Sequence, residues 1–199
     1  ISLAAMDIGT AFGTLGARRD MMIGFLAEPA LLMVIFVASL ISATTALPLI
    51  AERLVVQPLA LYPSLAFTAV AFTMVLLAEN ARIPVDNPAT HLELTMIHEA
   101  MLLEYSARHL ALMEWAAALK LFNYACIGFA LFVPWGASTG EAGPGALLLS
   151  VPLLGLKLLV AGIWLAALET VSAKLRVFRA PEFLATAFLF AVLGLLVHL

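Results

Sequence analysis

Four apolar runs long enough to cross a bilayer divide this chain. Ala30 to Ala51 and Pro58 to Ala78 carry no charge, Leu110 to Val133 carries Glu114 and Lys120, and Ala146 to Leu168 carries Lys157 alone. A spanning helix needs roughly 20 apolar residues, so each run predicts one. Phe183 to Leu199 is at the short limit and is taken as a fifth. Residues 1 to 17 read as the tail of a spanning helix whose beginning is missing, which makes the chain a fragment. The expected fold is all-α: a polytopic transmembrane bundle of about five spans plus a partial N-terminal helix, one membrane domain over residues 1–199.

The polar positions between the runs are unevenly charged. The first, third and fifth connections hold Arg18 and Arg19, Arg82 and Arg108, and Lys174, Arg176 and Arg179, whereas the second and fourth hold only Arg53. Lys and Arg are retained on the cytoplasmic side. Residues 18–20, 79–109 and 169–182 are therefore expected in the cytoplasm, in a cell inner membrane. The turn from Pro134 to Gly145, rich in Gly and Pro, lies outside. The largest polar loop, 79–109, falls between the second and third full spans. Pro84 and Pro88 keep its start out of regular helix. Helix is expected from near Ala89 or Thr90, continuing through Glu104 and Arg108 into the next span.

Composition agrees. The chain has 199 residues, is 64% hydrophobic and 12% charged, and has a mean hydropathy of +1.08, so lipid is its main solvent. A net charge of -3 gives nucleic acid no electrostatic footing. The one cysteine, Cys126, has no second thiol for a disulfide or a thiolate metal site and reads as a packing residue. Any redox centre then belongs to another chain.

Charges within apolar runs ask for a reason, because a Lys or Asp at the bilayer centre costs about 2.5 to 3.5 kcal/mol. Lys120 and Lys157 each fall near the middle of their runs and are expected at one depth. Glu114 is six residues from Lys120, on another helix face, and is a poor partner. Either a lysine is neutral or a carboxylate reaches it from another helix or subunit; a proton or hydration path and a structural ion pair both fit. Glu28 and Glu79 sit at predicted helix ends, where a carboxylate can be a plain interfacial anchor. His91, Glu93, His98, Glu99 and Glu104 lack the spacing of HExxH or of the Glu-x-x-His pairs in di-iron bundles, so no metal site is expected. No nucleophile motif or phosphate loop occurs.

Two segments resemble a known family. GARRDMMIGFLAEP, Gly16 to Pro29, is similar to its pattern of G-x-x-R, then eight residues, then Glu. AENARIPVD, Ala78 to Asp86, resembles the A-E-x-N-R-x-P-F-D signature of subunit 1 of respiratory complex I. The continuation, DNPATHLELTMIHEAMLLEYS, looks instead like the counterpart in membrane-bound nickel-iron hydrogenases, the formate hydrogenlyase and hydrogenase-4 branch. The spacing from Asp86 to Glu104 and Tyr105 is longer than in complex I subunits and favours the hydrogenase branch. The resemblance covers nearly the whole chain.

The resemblance implies a membrane subunit between a cytoplasmic redox module and antiporter-like pumps. Its implied partners are the hydrogenase large and small subunits, an iron-sulfur protein and antiporter-like membrane subunits. Nickel-iron and iron-sulfur centres would reside in those partners, none in this chain, with quinone in doubt. The proton path is expected to enter through Glu28, Glu79, Asp86, Glu93, Glu99 and Glu104 and to continue through Glu114, Lys120, Lys157 and Glu169. Arg19, Arg82, Pro84, His91 and His98 are expected to face the peripheral module. The nearest alternative is the quinone-binding subunit of an NADH:quinone oxidoreductase. A free-standing transporter and a purely structural anchor are the other readings.

Overall fold

The computed structural model describes residues 1–56, 62–86, 96–136, 144–173, 175 and 179–199, and every element among them is helical. In chain order these are α1 (Ser2–Asp7), α2 (Ala11–Ser42), α3 (Leu47–Val56), α4 (Ser64–Glu79), α5 (His98–Leu102), α6 (Ala107–Phe132), α7 (Pro144–Val171) and α8 (Ala180–His198). By length and composition α2, α6, α7 from Leu148 and α8 can each cross a membrane, and α4 is a shorter apolar helix. An all-α, multi-pass membrane bundle is the result.

The first expected span is redrawn. The N-terminal stub divides at Gly9, whose φ of 74° is easy only for glycine, and α2 then begins on a cap in which Thr10 Oγ1 accepts from the Gly13 amide. Arg18, Arg19 and Asp20 are thus inside α2 instead of in a connection. That helix passes through Pro29 and stops at Ser42, short of the expected Ala51. Ala43 takes a left-handed φ of 51°, and Arg53 donates to the carbonyls of Ser42 and Ala43, placing a cation on the negative helix end. The next helix, α3, has ten residues, too few to cross. It buries Ile50 and Leu54 and exposes Glu52 and Arg53.

The expected helix running from the polar loop into the next span is also interrupted. Residues 87–95, which include His91, Glu93 and the predicted helix start, lie outside the described residues. Beyond them α5 ends at Leu102, Glu104 is in the following turn, and extended Ser106 with left-handed Ala107 (φ 48°) resets the chain before α6. Glu104 and Arg108 therefore do not share one helix face.

The core is where α2, α4 and α8 meet. Small residues allow the approach: Ala27, Ala30 and Ala38 on α2, Ala71 and Ala78 on α4, and Ala187, Ala191 and Gly194 on α8 are all buried. A Cβ on Gly194 would stand 2.7 Å from Thr68 Cγ2 and 3.1 Å from the Ser64 carbonyl oxygen. By contrast α6 buries only Leu131 within this chain, and the spanning part of α7 buries no residue. Ring contacts of Phe72 with Tyr124 and Phe132, at 6.2 and 5.6 Å, hold α6 against α4.

Candidate functional site

The final turn of α4 leaves carbonyls without helical partners, and the residues after it turn sharply. The Asn80 side chain donates to the Leu76 carbonyl at 2.8 Å, Ala81 has a φ of 50°, and the Arg82 amide returns to Leu77 at 2.9 Å. This fixes Glu79 at a helix end facing α2 and α6. Lys120, from the middle of α6, reaches it twice: its Nζ is 2.6 Å from the Glu79 carboxylate and 2.6 Å from the Glu79 carbonyl oxygen. One ammonium thus meets a carboxylate and the negative end of a helix dipole together. The lysine side chain is 42% exposed and the glutamate 13%, so the pair is open on the α6 side.

Space for the Glu79 carboxylate comes from α2. Gly24 faces it; a Cβ there would be 3.6 Å from Oε1. Asp20, Gly24 and Glu28 of α2, with Glu79 and Lys120, line one cavity of about 310 Å3. Asp20 also accepts a hydrogen bond from the Ser2 hydroxyl of α1. Tyr124, one turn beyond Lys120, is within electrostatic range of both Glu79 and Glu28. Three helices bring three carboxylates, one ammonium and a phenol together.

A second set of contacts organises the polar connection. Asp86 is 1% exposed, and its Oδ2 accepts from the amides of Ile97 and His98 at 3.2 and 3.0 Å. That carboxylate holds the start of α5. Arg19 of α2 donates to the Met96 carbonyl at 3.1 Å, and Gly16 lets α5 sit close, since a Cβ there would be 2.8 Å from the Ile97 carbonyl oxygen. Arg82 meets Glu169 of α7 at 3.5 Å, and the Leu175 amide donates to the Pro84 carbonyl at 2.8 Å. The turn after α4 is therefore tied to α2, α5 and the end of α7.

The remaining candidates are dispersed. Glu99 and His98 are on α5, Glu104 is exposed in the turn after it, and Glu114 is exposed on α6. Lys157 is not at the depth of Lys120. Its ammonium donates to the Val133 carbonyl at 2.7 Å, thirteen residues after Lys120 and therefore about 20 Å further along the α6 axis. The long side chain leans toward the opposite end of the bundle. Equal positions within two runs did not mean equal depth, because α6 and α7 are offset along their axes.

Asp20 and Tyr124 were not among the expected site residues. Asp20 lies two turns before Glu28, and Tyr124 one turn after Lys120, so helical spacing could have added both. Among the described residues, no three His, Cys, Asp or Glu side chains group as a metal site requires.

Both halves of the site come from segments with a distinctive pattern, Gly16 to Pro29 and Ala78 to Asp86. The family model described as NADH dehydrogenase matches residues 1–199, the full length of the chain. The chain belongs to this family. It is 29% identical to formate hydrogenlyase subunit 4 of Escherichia coli (strain K12) over 193 residues, which is 97% of this chain and 62% of the relative. It is 32% identical to hydrogenase-4 component C of the same organism over 173 residues, 87% of this chain and 53% of that one. The chain thus spans between half and two thirds of the length of these two relatives.

Proposed function

We propose that this chain is an integral membrane subunit of a membrane-bound nickel-iron hydrogenase of the formate hydrogenlyase or hydrogenase-4 type. It anchors the peripheral redox module and couples electron transfer to proton translocation. The observation that carries this reading is the Glu79–Lys120 ion pair, set in a cavity with Asp20 and Glu28 and joined through Arg82 and Asp86 to the polar connection.

The physical logic is local. Three carboxylates and one ammonium in a confined space can exchange a proton among themselves, and the arrangement they favour depends on the field around them. The latch formed by Arg19, Asp86 and α5 is continuous with the turn that ends α4. A partner pressing on α5 would shift that turn, and with it the distance from Glu79 to Lys120. A movement at one surface is thus read out deeper in the bundle as a change in the field around these charges.

On this reading the polar connection is cytoplasmic and the membrane is the inner one. The nickel-iron and iron-sulfur centres are held by the hydrogenase large and small subunits and an iron-sulfur protein, while antiporter-like subunits lie alongside in the membrane. The exposed apolar faces of α6 and α7 suit such neighbours or lipid. Co-purification of the intact membrane assembly, with identification of its soluble subunits and metals, tests this. Nickel and hydrogenase subunits are expected; a stoichiometric quinone displaced by cavity-directed inhibitors, without nickel, would overturn it. That outcome would favour the quinone-binding subunit of an NADH:quinone oxidoreductase, a reading supported by the description of the matching family.

A further inference from the structure

The Lys157 end of the bundle has no part in the carboxylate cluster, yet it too is built around a charge. The ammonium offers three donors, and among the described residues it meets the Val133 carbonyl and no carboxylate. Around it is a cavity of about 350 Å3 with apolar walls from Ala51 and Val55 of α3, Phe129 of α6 and Leu154 of α7. A positive charge in such a place is complementary to an anion.

Its level in the bundle narrows the choice. Val133 caps the end of α6, and the neighbouring α3 is a ten-residue helix that exposes Leu47, Leu49 and Val56 as well as Glu52 and Arg53. The ammonium thus stands level with the end of α6, where a spanning helix leaves the membrane, and exposed Leu156, Leu159 and Val160 on α7 offer a surface for acyl chains.

We propose that this cavity binds the headgroup of an anionic phospholipid, its phosphate on Lys157 and its chains along α7. The charge is complementary, and among the described residues the walls supply no carboxylate for a choline or ethanolamine ammonium. Zwitterionic lipids are therefore the poorer occupants.

Native mass spectrometry of the full-length protein in its purified membrane complex tests this by titration with phosphatidylglycerol, phosphatidylcholine or inorganic phosphate. Phosphatidylglycerol should be retained, and neither inorganic phosphate nor phosphatidylcholine should displace it. Lys157→Gln should lower its occupancy at least fivefold, and Lys157→Arg should preserve it. Leu154→Trp, which fills the cavity and keeps the lysine, should lower it as well. Unchanged retention in assembled Lys157→Gln or Leu154→Trp complexes overturns the proposal, as does displacement by phosphate or equal retention of phosphatidylcholine.

Discussion

Lys120 satisfies a carboxylate and a carbonyl with one ammonium, so changing either Glu79 or Lys120 alone takes a charged partner from the other. Glu79→Gln leaves the lysine a neutral acceptor; Lys120→Met leaves Glu79 beside Asp20 and Glu28 with no counter-charge among the described residues that line the cavity. Each single variant should be less stable than the parent, and the double variant should lose less than the sum. Denaturation of the four proteins in detergent should give a coupling of about 0.5–2 kcal/mol, toward the low end because the lysine is partly exposed. At Asp86 the expectation is larger. Asp86→Ala removes a buried acceptor from two amides, each worth about 1–3 kcal/mol when stranded. Amide exchange at Ile97 and His98 should accelerate at least tenfold, while Asp86→Asn, which keeps an oxygen, should do less. The sequence exposed both charges of the ion pair but not their pairing. Glu79 and Lys120 are 41 residues apart, and their meeting depends on where α4 stops against α6.

At the scale of helices, close approach decides stability. Gly194→Val would push a side chain into Thr68 and the Ser64 carbonyl, where α8 meets α4, and should cost about 1–3 kcal/mol as overpacking. Gly155→Ala and Gly162→Ala on α7 meet nothing within 4 Å and should leave the unfolding midpoint close to that of the parent. A comparable loss at all three positions would contradict the packing described. The apolar runs were enough to predict helices, since nothing but helix suits such long uncharged stretches in lipid. Their ends were harder to read. Hydropathy does not distinguish a helix that continues past Ser42 from a chain that turns there; the turn depends on Ala43 adopting a left-handed conformation and on Arg53 folding back. Likewise, Ser106 and Ala107 separate α5 from α6 within a stretch whose composition looks continuous.

At the scale of the whole molecule, α2, α4 and α8 form the packed centre, and α6 reaches it through one ion pair and a few rings. The charged cavity is at that seam, between the tight core and a helix whose other faces remain available to neighbours. Such a seam is where a partner's movement would be felt first, because few contacts must yield for Lys120 to change its distance from Glu79. A structural anchor would use the same pair differently: the charge would hold helices together and carry nothing. Proton uptake and hydrogen evolution, measured together in sealed membrane vesicles containing the assembled Glu79→Gln complex, separate the two. Near-parental hydrogen evolution with at least a fivefold loss of proton movement is the predicted result. Parental proton movement per hydrogen formed, in a complex assembled to parental levels, would contradict it.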